Sequence, residues 1–303
     1  MAAYKTILIA GPTGSGKSNL AVELAKRHHG VIINTDSMQV YRELRIVTAR
    51  PTLEDELEAP HQLYGFVEAR DVFSAGAWLR YVANLLPELR AEFETLIFVG
   101  GTGLYFNALT AGLSEIPETP NTLRQSLRDE LKMTGPAALY AQLQTENAGS
   151  AAGLNPSDGQ RIVRALEVLR HTGRPLHIWQ RQNSTPLVDL DASSTTAIIL
   201  DPPRELLSDR IAKRFHKMVE MGAIEEVAVL LNLKLDHNLP AMKAIGVKQL
   251  GSYLAGEVPL GQAVELSIIA SRQYAKRQRT WFAGQMGARW QRFPDFSSAF
   301  AAI

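Results

Sequence analysis

Four short apolar runs recur along the chain: Thr6–Ala10 (TILIA), Gly30–Asn34 (GVIIN), Thr95–Val99 (TLIFV) and Thr196–Leu200 (TAIIL). They are apolar on both faces and rich in β-branched residues, as strands buried in a parallel sheet are. Between them lie segments with helical spacing. Asn19–Ala25 is one, and Ser74–Phe93 is another, with Trp78, Leu79, Val82, Leu85, Leu86 and Leu89 recurring on one face and Ser74 as N-cap. Strands and helices in alternation predict an α/β fold with a doubly wound parallel sheet. The pattern changes near Ser114. Ile116–Pro120 carries two prolines, and helical spacing follows at Leu123–Met133, Ala137–Thr145, Asp158–Arg170 and Leu176–Arg181. The polar stretch Gln182–Thr195 reads as a linker back to the sheet. A helical insertion over 114–190 is therefore expected within a core formed by 1–113 and 191–303. Beyond Arg204 the chain reads as a helical C-terminal region, at Glu205–Glu220, Ala223–Asn232 and Leu260–Gly284.

The loop after the first run adds chemistry to this frame. Gly11-Pro12-Thr13-Gly14-Ser15-Gly16-Lys17-Ser18 joins a strand to a helix start, the context a phosphate-binding P-loop requires. Its glycines let backbone N–H groups curl around phosphate oxygens, and the helix N-terminus favours negative charge. Lys17 supplies a point charge, and the Ser18 hydroxyl is placed to hold Mg²⁺. P-loop ATPases also need an acidic strand end for the metal. Here the third strand runs into Gly100-Gly101-Thr102, and Asp201, the other candidate, precedes two prolines. A nucleotide-hydrolysing reading is weakened accordingly. Asp36, at the end of the second strand, lies one strand on from the P-loop. It reads equally as a general base and as a loop-capping or metal-holding carboxylate.

Composition narrows the class. In 303 residues, 46% are hydrophobic and 21% charged, values of an ordinary globular protein. With no cysteine, neither a disulfide framework nor a thiolate–zinc site is available. None of the histidines shows metal-ligand spacing. No apolar run reaches membrane-spanning length, and the start of the chain leaves no room for a signal peptide, so a cytoplasmic protein is expected. A net charge of +1 does not announce a nucleic-acid binder. Charge is concentrated locally, however: Arg272, Lys276, Arg277 and Arg279 fall within about two turns of one predicted helix, an arrangement that favours phosphate partners.

Further blocks then form an ordered set. Asp36-Ser-Met-Gln39-Val-Tyr41-Arg42 is followed by Thr48-Ala-Arg50-Pro51, Gly100-Gly-Thr-Gly-Leu-Tyr-Phe106 and Asp158-Gly-Gln160-Arg161-Ile-Val-Arg164. Arg210–Phe215, Lys243–Gly246 and Arg272–Trp281 complete it. Together with the P-loop these blocks resemble the tRNA dimethylallyltransferases in their bacterial form, over nearly the whole chain. The resemblance implies that the P-loop (Gly11 to Ser18) cradles the diphosphate of dimethylallyl diphosphate, with Mg²⁺ at Ser18. It implies transfer of the dimethylallyl group to N6 of adenine 37 beside the anticodon. Asp36 would then be the base, with Lys17, Thr13 and Arg210 serving the leaving group and Arg214 the second choice for its arginine. The tRNA anticodon stem-loop would be met by Asp36, Ser37, Met38, Gln39 and Thr102. Arg124, Gln160, Arg161, Ile162, Val163, Arg164, Lys243, Lys248, Arg272 and Lys276 would add further contacts. A monomer is expected. An adenylate isopentenyltransferase and a P-loop nucleotide kinase are the competing readings. The helical insertion favours tRNA over a small acceptor.

Overall fold

The computed structural model describes residues 5–182 and 184–303 and divides into two compact units. One comprises the chain up to Thr110 together with Leu187–Ile303, and the other is Ala111–Pro186. From the sequence, joins at 113/114 and 190/191 are expected. Leu187, Val188 and Leu190 instead pack into the core beneath the sheet, while the Leu113 N–H bonds the Ser184 hydroxyl within the helical unit.

The larger unit holds a six-stranded, all-parallel sheet of β1 (Lys5–Ala10), β2 (Gly30–Asn34), β3 (His61–Gln62), β4 (Thr95–Gly100), β5 (Thr195–Leu200) and β6 (Gln291–Phe293). Its order is β3-β2-β4-β1-β5-β6. The four predicted strands form its centre; β3 and β6, unpredicted, are the edges. Alternate side chains serve two apolar layers, as the pleat dictates. Leu8 and Ala10 of β1 pack with Trp78, Leu86 and Phe98, whereas Ile7 and Ile9 pack with Leu20, Leu24 and Ile97. A third cluster joins the segment after β2 (Val40, Tyr41, Leu44) to the C-terminal helices through Ile211, Phe215, Val247 and Ile268. Those helices run over Arg204–Glu220, Ala223–Asn232, Val247–Leu254 and Leu260–Gln285.

In the helical unit, Asn121–Glu146 is interrupted at Gly135, which has φ 79° and precedes Pro136. Two helices were expected there, and this left-handed residue with its following proline accounts for the break. Ile162 and Val163 lie in this unit's apolar core with Leu127, Leu139 and Leu166. Both were expected at RNA; their side chains face inward instead, because the Gly159–Thr172 helix turns them to the stripe it buries.

Candidate active site

The parallel order brings three loops to one end of the sheet. Ala10 pairs with Gly100 and Asn34 with Val99, so the loops after β1, β4 and β2 leave the sheet side by side. Asp36 is thus two strands from the P-loop, not one, with the glycine-rich turn after β4 between them. That turn is built to be low. A Cβ on Gly100 would lie 2.2 Å from the Thr35 carbonyl, one on Gly101 would lie 2.1 Å from Gln278 Nε2, and one on Gly103 would lie 2.0 Å from the Trp281 ring. Ligands of parallel α/β sheets bind in the crevice beyond such strand ends.

The P-loop adopts a phosphate-nest conformation. Gly14 and Gly16 have φ of 82° and 94°, a region side chains avoid, and Gly16 caps the Lys17–Arg27 helix without a side-chain bond. Gly11 is confined between the Leu200 carbonyl and Ser15. Lys17 Nζ reaches back to the Pro12 carbonyl at 3.4 Å. Burial pushes its ammonium down to about 8, with Arg214 adding to the shift and Asp36 opposing it. Arg214 donates to the Thr13 hydroxyl. Its guanidinium is lowered by burial and supported by Asp36. Arg210, one turn earlier, is exposed and donates to the Ser15 carbonyl at 3.3 Å. Of the two, the structure couples Arg214 to Asp36 and Lys17, although Arg210 was the first choice from the sequence. Positions i and i+4 share a helix face, but Arg214 is the one drawn toward Asp36 and Lys17.

Asp36 is held by its neighbours. Its N–H donates to Asn34 Oδ1 at 2.8 Å, and Asn34 Nδ2 donates back to the Asp36 carbonyl at 3.0 Å. The Met38 N–H donates to Asp36 Oδ1 at 2.9 Å, an Asx-type turn. The other oxygen, Oδ2, faces Gly101. The capping contact thus occupies one oxygen of the carboxylate and leaves the other facing the Gly101 turn. Thr102 ties the two loops, since its Oγ1 accepts from the Ser37 N–H at 2.9 Å and donates to Ser37 Oγ at 3.2 Å. Gln39 donates to the Thr48 and Ala49 carbonyls, at 2.9 and 2.8 Å. Further along, the Glu226 carboxylate accepts from the N–H groups of Arg45, Ile46 and Val47 at 2.7–2.9 Å, anchoring this segment to the Ala223–Asn232 helix.

Several wall residues carried no individual signal in the sequence. Tyr105 stacks on Trp78 with centroids 4.5 Å apart, and its hydroxyl is buried without a partner. Tyr274 lies beside Thr102 and Gln278; burial and the Asp36 charge raise its phenol. Gln278 donates to the Gly101 carbonyl at 2.8 Å and accepts from the Thr13 N–H at 2.9 Å. Tyr274, Gln278 and Trp281 follow helical spacing, a hint that becomes informative only when the facing loops are known.

Other expected residues lie apart from this cluster. Lys243, Lys248, Arg272 and Lys276 are exposed on the C-terminal helices and turns of the larger unit. Arg279, grouped with them in the sequence, pairs with Asp201 at 2.8 Å, which removes it from the unpaired charges and commits the alternative metal carboxylate. Within the helical unit Arg161 pairs with Asp158 at 3.2 Å, while Arg164 and Arg124 approach the buried Glu167 at 3.2 and 3.9 Å. Gln160 is exposed beside them.

Among the described residues no group of three or more His, Cys, Asp or Glu could hold a metal by itself. The oxygens at hand are the exposed Ser18 hydroxyl and the Asp36 carboxylate. That set fits a hard cation carried mainly by substrate phosphates and water, the habit of Mg²⁺. No helix among the described residues is long and apolar enough to cross a membrane.

Comparison with known proteins agrees with this architecture. The sequence model described as IPP transferase matches residues 39–285. The chain is 51% identical to the tRNA dimethylallyltransferase of Rhizobium johnstonii, over 96% of this chain and 98% of that one. It is 54% identical to that of Rhizobium etli, over 94% and 96%. Among solved structures it resembles the full-length tRNA isopentenylpyrophosphate transferase of Bacillus halodurans, with TM-score 0.68, 33% identity and 99% and 94% of the two chains covered. A eukaryotic dimethylallyltransferase acting on tRNA superposes with TM-score 0.78 at 28% identity, covering 92% of this chain and 70% of that one. The chain therefore belongs to the IPP transferase family, as one of its tRNA dimethylallyltransferases.

Proposed function

We propose that the protein transfers the dimethylallyl group of dimethylallyl diphosphate to N6 of adenine 37, beside the anticodon of tRNA. The observation that carries this reading is the pairing of two half-sites across a glycine gap: a P-loop flanked by Lys17 and Arg214, and Asp36 Oδ2 facing Gly101. The exocyclic amine is a weak nucleophile because its lone pair is delocalised into the ring. As its nitrogen bonds the allylic carbon, the C–O bond to the diphosphate breaks, and the N6 proton passes to Asp36. Charge builds on the departing diphosphate, where P-loop amides, Lys17 and Arg214 stabilise it. Mg²⁺, held through Ser18 and the phosphates, would neutralise part of that charge. An adenine in a stem-loop must leave its stack to reach Asp36, which assigns Ser37, Met38, Gln39 and Thr102 to the flipped base and its neighbours. Arg124, Gln160, Arg161 and Arg164 are assigned to the stem-loop. A monomer is proposed, and a tRNA substrate supports a cytoplasmic location.

Pyrophosphate release tests this reading. Incubated with dimethylallyl diphosphate and Mg²⁺, the enzyme is expected to release pyrophosphate only when unmodified tRNA is added. Release with AMP alone would make it an adenylate isopentenyltransferase. Phosphate release from ATP in its place would revive the kinase reading.

Two further results are expected. Because Lys17 carries its charge only below about 8, affinity for dimethylallyl diphosphate is highest below that pH and falls above it. In K17M binding is weaker throughout and flat over the same range, as calorimetry across pH 6.5–9.5 would show, roughly one unit or more to either side of the transition. Neutralising the exposed Arg272, Lys276 and Arg277 to Gln lowers the slope of log affinity for tRNA against log salt by about two to three. An unchanged slope would move the RNA surface elsewhere.

A further inference from the structure

Gln278 lies 265 residues from Thr13 and 177 from Gly101, yet one amide group touches both. Its side chain is 95% buried, at 5% exposure, in a seam that has no other bond between these two loops among the described contacts. The two bonds have opposite polarity. The Thr13 N–H donates to Oε1 at 2.9 Å, and Nε2 donates to the Gly101 carbonyl at 2.8 Å. Only a group that accepts on one side and donates on the other can occupy this place, and a neutral primary amide does both without charge. Each end is also fixed from elsewhere. The hydroxyl of Thr13 is held by Arg214, so the residue is gripped through its backbone by one helix and through its side chain by another. Gly101 stands against Asp36 Oδ2, and its missing side chain is what leaves room for the amide, since a Cβ there would lie 2.1 Å from Nε2. Tyr274, one turn earlier on Leu260–Gln285, lies beside the amide and Thr102.

We propose that Gln278 is a positioning residue that sets the span between the leaving-group loop at Thr13 and the base-side loop at Gly101, and thereby the alignment of the reacting carbon between diphosphate and amine. This rests on the transfer reaction above. Gln278 touches neither reacting atom; it acts through Thr13 and Gly101. In-line displacement is sensitive to such a span, since a misplacement of about 1 Å costs up to roughly a hundredfold in rate.

The test uses the full-length enzyme with Gln278→Met and Gln278→Glu, assayed for label transfer from dimethylallyl diphosphate to unmodified tRNA. In Q278M, which fills the same volume with neither bond, kcat is expected to fall about 10- to 100-fold while KM for each substrate stays within about threefold. In Q278E a carboxylate can accept from Thr13 but opposes the Gly101 carbonyl, whereas the protonated acid accepts and donates as the amide does. The charged and titratable groups of this seam are Asp36 after β2, Lys17 and Arg214 at the P-loop, and Tyr274 and Arg277 on the helix of Gln278 itself. The ratio of mutant to wild-type kcat at each pH removes what these groups contribute alike in both enzymes. A new carboxylate favours the Lys17 ammonium at high pH and disfavours the Asp36 carboxylate at low pH, and both couplings oppose the expected trend. That ratio is expected to rise as pH is lowered from 8.5 to 6, a window chosen about the raised carboxyl range of a buried Glu. Q278M within threefold of wild type in kcat would overturn the proposal. So would a Q278E ratio flat in pH beside a large Q278M loss, because a side chain that merely fills space does not recover with a proton. Should Q278M fail to fold, the Q278E ratio alone decides. A wild-type enzyme that transfers no label to tRNA would refute the reaction instead, an outcome separate from either variant's behaviour.

Discussion

Asp36→Asn is expected to leave tRNA bound at near wild-type affinity and to lower turnover by about 10²- to 10⁴-fold, the usual worth of a positioned general base. The amide keeps the volume and can still accept from the Met38 N–H through its oxygen, as Oδ1 does at 2.9 Å. What it lacks is the basic oxygen facing Gly101. A gel-shift titration and single-turnover kinetics on the same preparation separate the two effects. Loss of tRNA affinity with a preserved single-turnover rate would recast Asp36 as a loop cap and remove it from proton transfer. The substitution also removes a negative charge that supports the Lys17 and Arg214 cations. Without that support the Lys17 ammonium falls further below its ordinary range, so the decline of diphosphate affinity with rising pH should begin at a lower pH in the variant than in wild type.

The second large effect separates two arginines on one helix. Arg214→Met should reduce kcat by about 10²- to 10³-fold, comparable to removing one donor from a charge-stabilising site. Arg210→Met should stay within about fivefold of wild type, the scale of an exposed single hydrogen bond of about 1 kcal/mol. The reason is placement. Arg214 is half-buried, bonds the Thr13 hydroxyl and feels the Asp36 charge, whereas Arg210 is exposed against the Ser15 carbonyl. Arg214→Lys should recover little, because an ammonium on a flexible stem cannot reproduce a planar guanidinium's paired donors. Steady-state rates for the three variants decide the assignment. A larger loss in the Arg210 variant than in the Arg214 variant would restore the order expected from the sequence.

Much of this architecture was legible in the chain because its central strands are continuous apolar runs. β1, β2, β4 and β5 announce themselves by composition, and the P-loop follows its strand directly. β3 and β6 have two and three residues, too few for any period to emerge. Strand order is a different kind of information. That β4 sits between β1 and β2 is set by crossover packing, so the gap between Asp36 and the P-loop could not be read from their separation in sequence.

Side-chain direction was the other limit. Arg210 and Arg214 share a helical spacing, and only the packed helix distinguishes the one that turns toward Asp36. Ile162 and Val163 lie in a sequence block rich in arginine and yet face the core of the helical unit. Arg279 looked like one member of a basic strip until Asp201, far away in sequence, supplied its partner. Gln278 is silent in the sequence, because an uncharged residue on a helix carries no chemical signal until its two neighbours arrive from distant loops.

The measurement that bears most directly on the central claim is mass spectrometry of ribonuclease fragments from an unmodified tRNA incubated with enzyme, dimethylallyl diphosphate and Mg²⁺. One added dimethylallyl group is expected, on the adenosine beside the anticodon, and none when Asp36→Asn enzyme is used for the same time. A fragment map without that addition, or with the group on another nucleotide, would contradict that claim.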